Sequence, residues 1–366
     1  MRFVVSQGAL QDELQFLQGI AEKKKTIPIL SNILLRADDG FLTMAATDLE
    51  VSLTGGCEAD VEDSGGITVA AKKLFEVVRS LPGEQVSFAL TDGNWLEITC
   101  GKAFFRLVGL ASDDFPEIPQ NDFSTAETIG HDTFKELIAR TIFAVTQEDA
   151  RYALNGALLE MDAKVMRMVA TDAHRLAMVE EAHQSGAEVR AIVPKKTLTE
   201  LRNLGNGDDM LFARDEHHLF FKIGHRVLAT RVIEGQFPSY EKVIPVGNPL
   251  EIVFAKEDMA GAIRRVSLLA SERSRAVRFK FGSGEATVSS SNPELGEAVE
   301  SVAVHYEGDD LEVSFNAQYI LDFLSAVEGE EVVFRLKDSA SQGLLEPREQ
   351  SSETSRYKYV IMPMRM

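Results

Sequence analysis

The chain has 366 residues, 45% of them hydrophobic, which is enough for two or three domains with apolar cores. No stretch reaches the roughly 20 apolar residues of a membrane helix, and the start, MRFVVSQGALQDELQ, lacks the apolar core of a signal peptide. We therefore expect a cytoplasmic protein. The net charge of −19 argues against coating nucleic acid by bulk attraction, although cations gathered on one surface can still contact phosphates.

Apolar residues at helical spacing predict six helices. In chain order these residues are Leu10, Leu14, Leu17 and Ile20; Leu74, Val77, Val78 and Leu81; Phe134, Leu137, Ile138 and Ile142; Leu198, Leu201 and Leu204; Met259, Ile263, Val266 and Leu269; and Ile320, Phe323, Leu324 and Val327. Short strands separated by turns lie between them, as in LLRADDGFLTMAATD and VRFKFGSGEATVSSSN. The pattern predicts an α+β fold, with helices packed on one face of antiparallel sheets.

This pattern occurs three times along the chain. The segments ITVAAKKLFEVVRSL, AIVPKKTLTELRNL and VSFNAQYILDFLSAV place Val69, Val193 and Phe315 at equivalent points, 124 and 122 residues apart. The motifs ATDLE and ATDAH place Asp48 and Asp172 124 residues apart. We therefore predict three similar domains, at residues 1–121, 122–246 and 247–366. Such an array suits a scaffold, a binding array or part of a ring.

Few residues suggest catalysis. Asp172 and His174 of ATDAH resemble an acid–base pair, but no nucleophile motif accompanies them and the equivalent ATDLE has no histidine. The Thr-Asp pair is better interpreted as a repeated turn. His217, His218 and His225 lack metal-ligand spacing, and no glycine-rich phosphate loop is present. We expect no catalytic residue, no metal and no cofactor.

Seven motifs, in order along the whole chain, carry a resemblance to a known family. They are TIPILSNILL (26–35), TDLE (47–50), RYALNG (151–156), ATDAHRLA (170–177), FPSYEKVIP (237–245), SNPE (291–294) and YVIMPMRM (359–366). Together they resemble the β sliding clamp family, the processivity subunit of bacterial DNA polymerase III. The resemblance implies a clamp fold and a head-to-tail homodimer that closes a ring around double-stranded DNA without reading its sequence.

The family also implies protein partners. These are the catalytic subunit of the replicative polymerase, the clamp loader, and other polymerases and repair proteins, which bind through short linear peptides. By resemblance, the peptide pocket is lined by Leu154, Thr171, His174, Arg175, Leu176, Pro238, Lys242, Val243, Val360, Met362, Pro363 and Met364. Methionines suit a site that serves several partners, because their side chains are adaptable and polarizable.

Two residues near the predicted pocket differ from the family pattern, and one predicted loop could alter the shape of the pocket. The family often has glycine at the place of Ala173 and arginine at the place of Lys242. The polar stretch LLEPREQSSETSRYK suggests a long loop at 344–358 before the last strand, and its course beside the pocket is open.

The predicted DNA-facing residues are mostly cations, since a clamp must hold phosphates without reading bases. The resemblance and the repeat together give Lys23, Lys24, Lys25, Lys72, Lys73, Gln147, Arg151, Tyr152, Lys195 and Lys196. Two Lys-Lys pairs begin the second helices of the first and second repeats, whereas the third repeat has Ala317 and Gln318 there. The alternative for any single lysine is a solvated helix end.

A head-to-tail ring joins two unlike surfaces. By resemblance, Phe105 of the first repeat meets Leu268 and Leu269 of the third, while Lys102 and Arg273 pair with carboxylates at the rim. The alternative is that the phenylalanine and the leucines belong to the cores of their own domains. The alternative function is a three-domain protein-interaction scaffold that never encircles DNA, whose oligomeric state would be unconstrained.

Overall fold

The computed structural model describes residues 1–21, 27–146, 149–184, 186, 188–205, 209–349 and 355–365. The chain divides into two compact units. The first unit comprises Met1–Phe134 and Lys196–Val232, and the second comprises Lys135–Lys195 and Ile233–Met366. No helix in the described ranges is long and apolar enough to cross a membrane.

Six α-helices occur among the described residues, two in each predicted repeat. They are α1 (Gln7–Ile20), α2 (Ala71–Ser80), α3 (His131–Ala139), α4 (Lys195–Asn203), α5 (Lys256–Val266) and α6 (Ala317–Ala326). All six predicted helices are therefore confirmed, but α5 ends at Val266, before the predicted Leu269, which lies in a 3-10 turn. Helix α3 is also shorter than predicted. It ends at Ala139, and Ile142 lies in a separate 3-10 turn, Ile142–Ala144.

The strands of the first unit form one twelve-stranded antiparallel sheet. They are β1 (Arg2–Ser6), β2 (Asn32–Asp38), β3 (Phe41–Thr47), β4 (Val51–Asp63), β5 (Gly65–Ala70), β6 (Gln85–Thr91), β7 (Trp95–Cys100), β8 (Ala103–Ala111), β9 (Glu127–Gly130), β14 (Asp209–Arg214), β15 (His218–Ile223) and β16 (Arg226–Arg231). Their order is β1-β6-β7-β8-β5-β2-β3-β4-β16-β15-β14-β9. The first and second repeats join at β4 and β16, where Val51 lies opposite Thr230.

The second unit contains a twelve-stranded sheet of its own. Its strands are β10 (Gly156–Met161), β11 (Val165–Thr171), β12 (Arg175–Ala182), β13 (Val189–Pro194), β17 (Leu250–Ala255), β18 (Ala276–Gly282), β19 (Glu285–Asn292), β20 (Gly296–His305), β21 (Leu311–Asn316), β22 (Glu331–Leu336), β23 (Gly343–Pro347) and β24 (Arg356–Ile361). Their order is β13-β10-β11-β12-β24-β23-β22-β17-β20-β19-β18-β21. The second and third repeats join at β12 and β24, where Leu176 lies opposite Val360.

Each sheet is covered by the apolar stripes of its helices. Leu10, Leu14 and Leu17 of α1 are buried in the first unit, as the helical spacing predicted. In the second unit, Phe323 of α6 is buried and stacks on Tyr359 of β24 with ring centroids 5.0 Å apart. This contact fixes α6 against the last strand of the chain.

The loop predicted over 344–358 is wrong at both ends, since its last three residues already belong to β24, Arg356–Ile361. Residues Gly343–Pro347 form β23, which pairs with β22 on one side and with β24 on the other. Leu344 and Leu345 are buried there, so the apolar pair drives the segment into the sheet despite the polar residues that follow.

The Thr-Asp turn predicted from the repeat is confirmed at both places. Asp48 Oδ1 accepts hydrogen bonds from the backbone N–H groups two and three residues on, at 3.0 and 2.8 Å. Asp172 Oδ1 does the same at 2.9 and 3.0 Å. Leu49 and Ala173 follow these aspartates with φ of 76° and 74°, a region that favours glycine. The aspartate caps hold both residues in this strained conformation.

Candidate functional site

An apolar cluster in the second unit brings several predicted pocket residues together. Its buried members are Leu154, Leu158, Val169, Leu176, Met178, Ile192, Ile233, Phe237, Tyr240, Leu344 and Val360, with Val243 and Ile244 packed against them. Of the predicted lining, Leu154, Leu176, Val243 and Val360 therefore meet in one place. The other cluster residues were not among the predicted lining, because no local sequence pattern indicates which distant apolar residues pack together.

The repeated turn and the chain terminus form the polar side of this cluster. Thr171 is buried, and its hydroxyl donates to the carbonyl of Arg175 at 2.6 Å. The backbone N–H of Met362 donates to the carbonyl of His174 at 2.9 Å. Met362, Pro363 and Met364 are half-buried, whereas the side chain of His174 is exposed. The terminal segment therefore lies directly beside the turn.

The segment FPSYEKVIP is anchored by one tyrosine. Tyr240 is 2% exposed, and its hydroxyl donates to Glu160 at 2.6 Å and accepts from Arg167 at 3.1 Å. Burial raises the pKa of Tyr240, against the opposing charge of Arg167. The predicted residues Pro238 and Lys242 flank this anchor and are exposed. The segment thus has a fixed centre and accessible flanks.

Arg175, another residue of the predicted pocket lining, is bound to internal partners. Its guanidinium is bonded to Asp172 at 2.9 Å, to Asp322 of α6 at 2.5 Å and to the carbonyl of Phe143 at 2.6 Å. It also lies 4.1 Å from the ring centroid of Tyr319. Burial opposes its charge, but the neighbouring tyrosine and carboxylate groups raise its pKa above the ordinary value. The side chain is only 10% exposed, and its positive charge is paired with internal carboxylates.

The predicted DNA-facing residues have different surroundings. Lys23, Lys24, Lys25 and Gln147, together with the side chain of Arg151, lie outside the described residues. Lys72 and Lys73 are exposed at the start of α2, with Glu76 3.9 and 2.7 Å away. Tyr152 is 53% exposed. The Nζ of Lys195 donates to the carbonyl of Val145 at 3.0 Å, and burial followed by the charge of Arg175 lowers the pKa of Lys195.

Lys196, the second residue of α4, also has internal partners. Its Nζ donates to the carboxylate of Asp48, in the first copy of the turn, and to the carbonyl of Ile20 at 2.7 Å. Its side chain is 35% exposed. An anion would therefore have to compete with Asp48 for this amine.

The predicted interface residues lie on surfaces with unpaired strand edges. In the first unit, β8 pairs with β7 through Ala103–Val108 and with β5 only through Gly109–Ala111. The second edge of residues 103–108 has no partner strand within the described ranges. Phe104 and Val108 are 59% and 62% exposed there, while Phe105 is half-buried and Lys102 is exposed.

A comparable edge occurs in the second unit. Among the residues that the structure describes, strand β20 pairs with β19 along Gly296–Ala303, but with β17 only at its end, Val304 and His305. Val299 is 65% exposed on this strand. Leu268 is 77% exposed after α5, Leu269 is half-buried, and Arg273 is exposed. Exposed edges with apolar side chains are templates for pairing with another chain.

The twelve-stranded sheets, the three helix pairs and the apolar cluster beside the terminal segment are features of the clamp-fold class. Models for three domains of the DNA polymerase III beta subunit match it: the N-terminal domain at residues 1–119, the central domain at 128–239 and the C-terminal domain at 241–365. The chain belongs to this family, that of the bacterial β sliding clamp.

Individual relatives agree along the whole chain. The beta sliding clamps of Pseudomonas aeruginosa and Caulobacter vibrioides are 35% and 36% identical to it, with 100% of both chains covered in each case. The crystal structure of the P. aeruginosa DNA polymerase III subunit beta superimposes with a TM-score of 0.93 over 100% of both chains, at 35% identity. A Bartonella birtlesii sliding clamp bound to griselimycin superimposes with a TM-score of 0.95, at 32% identity and with the same coverage.

Proposed function

We propose that this chain is a non-catalytic sliding clamp, which confers processivity on the replicative DNA polymerase by encircling duplex DNA in the cytoplasm. The full-length match to clamp structures, at a TM-score of 0.93 and 35% identity, carries the proposal. We place its three domains at residues 1–121, 122–246 and 247–366. The matches of the three family domains support this division.

The ring requires a second copy of the chain. In the proposed head-to-tail dimer, the free edge of β8 in one protomer pairs with the free edge of β20 in its partner, and two such contacts close the ring. The exposed side chains of Phe104, Val108 and Leu268 support this contact, because burying them removes apolar surface from water. Lys102 and Arg273 then pair with carboxylates at its rim.

The oligomeric state tests the ring against the scaffold alternative. Light scattering at micromolar concentration and moderate salt should give about twice the chain mass of 40.3 kDa. The dimer should then stay on nicked circular DNA and slide off linear DNA of the same length once a clamp loader has closed it. A stable monomer, or equal loss from both DNAs, would favour the scaffold.

DNA contact should be weak and independent of sequence. We propose that the channel surface consists of Lys23, Lys24, Lys25, Lys72, Lys73, Gln147, Arg151, Tyr152, Lys195 and Lys196. The exposed ends of Lys72 and Lys73 support this role most directly. Since retention comes from topology, binding to short linear duplex should fall steeply with salt. Salt-resistant binding to such a duplex would contradict the mechanism.

The partner site is the pocket proposed above from the family pattern. Leucine or aromatic anchors of short peptides from the polymerase, the clamp loader and repair proteins would enter the apolar cluster, where buried anchors supply most of the affinity. Deleting residues 362–366 should abolish binding of a labelled polymerase-derived peptide and leave the dimer mass unchanged. Unchanged peptide affinity after the deletion would refute the assignment.

Griselimycin offers a second probe of the same surface. Clamps of P. aeruginosa and B. birtlesii have been crystallised with it, and we propose that this chain binds it at the peptide pocket. Griselimycin should displace the labelled peptide from the wild-type protein, and the 362–366 deletion should weaken both ligands together. Simultaneous binding of both ligands would show that they occupy different surfaces.

A further inference from the structure

The terminal segment that borders the proposed pocket is held at two points. The N–H of Met362 donates to the carbonyl of His174, in the turn before β12, at 2.9 Å. The N–H of Met364 donates to the carbonyl of Ser314, on β21, at 2.8 Å. Pro363 lies between them and has no N–H to donate. The position of the segment therefore depends on how the turn and β21 are placed relative to each other.

One ion pair links these two supports. Arg175 is the first residue of β12, directly after the turn, and Asp322 belongs to α6, which follows β21 directly in the chain. Arg175 Nη1 is 2.5 Å from Asp322 Oδ2, and the two side chains are 10% and 22% exposed. The second oxygen of Asp322 accepts from Gln318 at 2.7 Å. At this burial, a charged hydrogen bond is strong and directional.

Other contacts leave the guanidinium little freedom to follow a displaced partner. It donates to the carbonyl of Phe143 at 2.6 Å and lies over the ring of Tyr319. The hydroxyl of Tyr359 donates to the carbonyl of Tyr319 at 2.8 Å, which ties α6 to β24 beneath the same segment. Asp322 is thus the carboxylate through which α6 holds the turn.

We propose that Asp322 is a positioning residue for the peptide pocket. It touches no peptide itself, and it acts by fixing Arg175, which sets the distance between the carbonyls of His174 and Ser314. The Met362–Met364 wall then has one conformation before a peptide arrives, so less ordering is required on binding. This inference rests on the proposed peptide-binding function.

The substitution Asp322→Asn removes the charge and keeps the shape of the side chain. Fluorescence anisotropy with the labelled polymerase-derived peptide should show about tenfold weaker binding, the size of effect seen for residues that act without touching the ligand. Asp322→Glu restores the charge one methylene farther out and should return the affinity to within about threefold of wild type. Asp258→Asn, the same change at an exposed position of α5, should leave it unchanged.

Amide hydrogen exchange separates positioning from general stability. In dimeric Asp322→Asn, the amides of Met362 and Met364 should exchange faster than in wild type, while the melting temperature changes little because Asp172 still supplies Arg175 with a counter-charge. If Asp322→Asn does not fold, Asp322→Ser, which also removes the charge, takes its place, and faster exchange at the same two amides is expected. Wild-type affinity together with unchanged exchange would overturn the positioning role. Failure of the wild-type protein to bind the peptide would instead overturn the proposed function.

Discussion

Replacing Glu13 by glutamine should destabilise the first unit strongly. The carboxylate of Glu13, on α1, is 5% exposed and accepts from Arg226 Nη2 at 2.6 Å and from His225 Nε2 at 2.9 Å. The guanidinium of Arg226 is 17% exposed and lies 4.1 Å from the ring centroid of Phe16. A neutral amide leaves this nearly buried cation without a counter-charge. Removing one partner of such a pair costs about 3 kcal/mol, the lower end of the usual range, because His225 is half exposed.

Chemical and thermal unfolding, followed by circular dichroism, measure this loss. For a unit of this size each kcal/mol lowers the melting temperature by roughly 3 °C, so Glu13→Gln should melt about 9 °C lower than wild type. Glu58→Gln is the matched control, since it makes the same change at an exposed position of β4 and should stay within about 0.5 kcal/mol of wild type. A loss below about 1 kcal/mol for Glu13→Gln would refute the dependence of Arg226 on this carboxylate.

Three further predictions concern other parts of the chain. Burial, and then the nearby carboxylate of Glu13 on α1, raises the pKa of Cys57 from 9.0 to about 12. The protonated thiol therefore contributes fully to the free energy of unfolding below pH 9, and this contribution is lost as the pH rises toward 12. Urea midpoints of Cys57→Ala should accordingly fall less between pH 9 and pH 11 than those of wild type. Tyr240→Phe removes the hydrogen bond to Glu160 and should cost about 1.5 kcal/mol in urea unfolding, with weaker peptide binding; an unchanged midpoint would contradict this anchor. Replacing Leu268 and Leu269 by serine should give folded monomers in light scattering, and persistent dimers would place the interface elsewhere.

The repeats and helices could be predicted because their signals are local. Apolar spacing locates a helix from a few neighbouring residues, and the Thr-Asp turn is made by a side chain that bonds its own backbone. The end of α3 was harder to predict, since Ile142 continues the apolar spacing although the chain has already left the helix. The strand at 343–347 was missed for a similar reason: its pairing with β22 and β24 is a tertiary property.

The site was less predictable than the fold. Arg175 and Asp322 are 147 residues apart in sequence, and no local pattern predicts the hydrogen bond between them. The lysines that begin α4 look like solvated helix ends or phosphate contacts, yet one donates to Val145 and the other to Asp48. Residue type and spacing indicate that charge is available. Only the folded chain shows which charges already have partners.

The strand pairings between neighbouring repeats determine whether a single repeat can be excised or exchanged. Strand β16 pairs with β4, and β12 pairs with β24 over six residues, Arg175–Glu180. The middle repeat excised as a fragment would therefore expose two bare inner strands, and such edges favour aggregation. A chimaera with a middle repeat from another clamp must match its neighbours along these two strands, residue opposite residue. Compatibility of backbone edges, rather than of linkers, should decide which exchanges give folded protein.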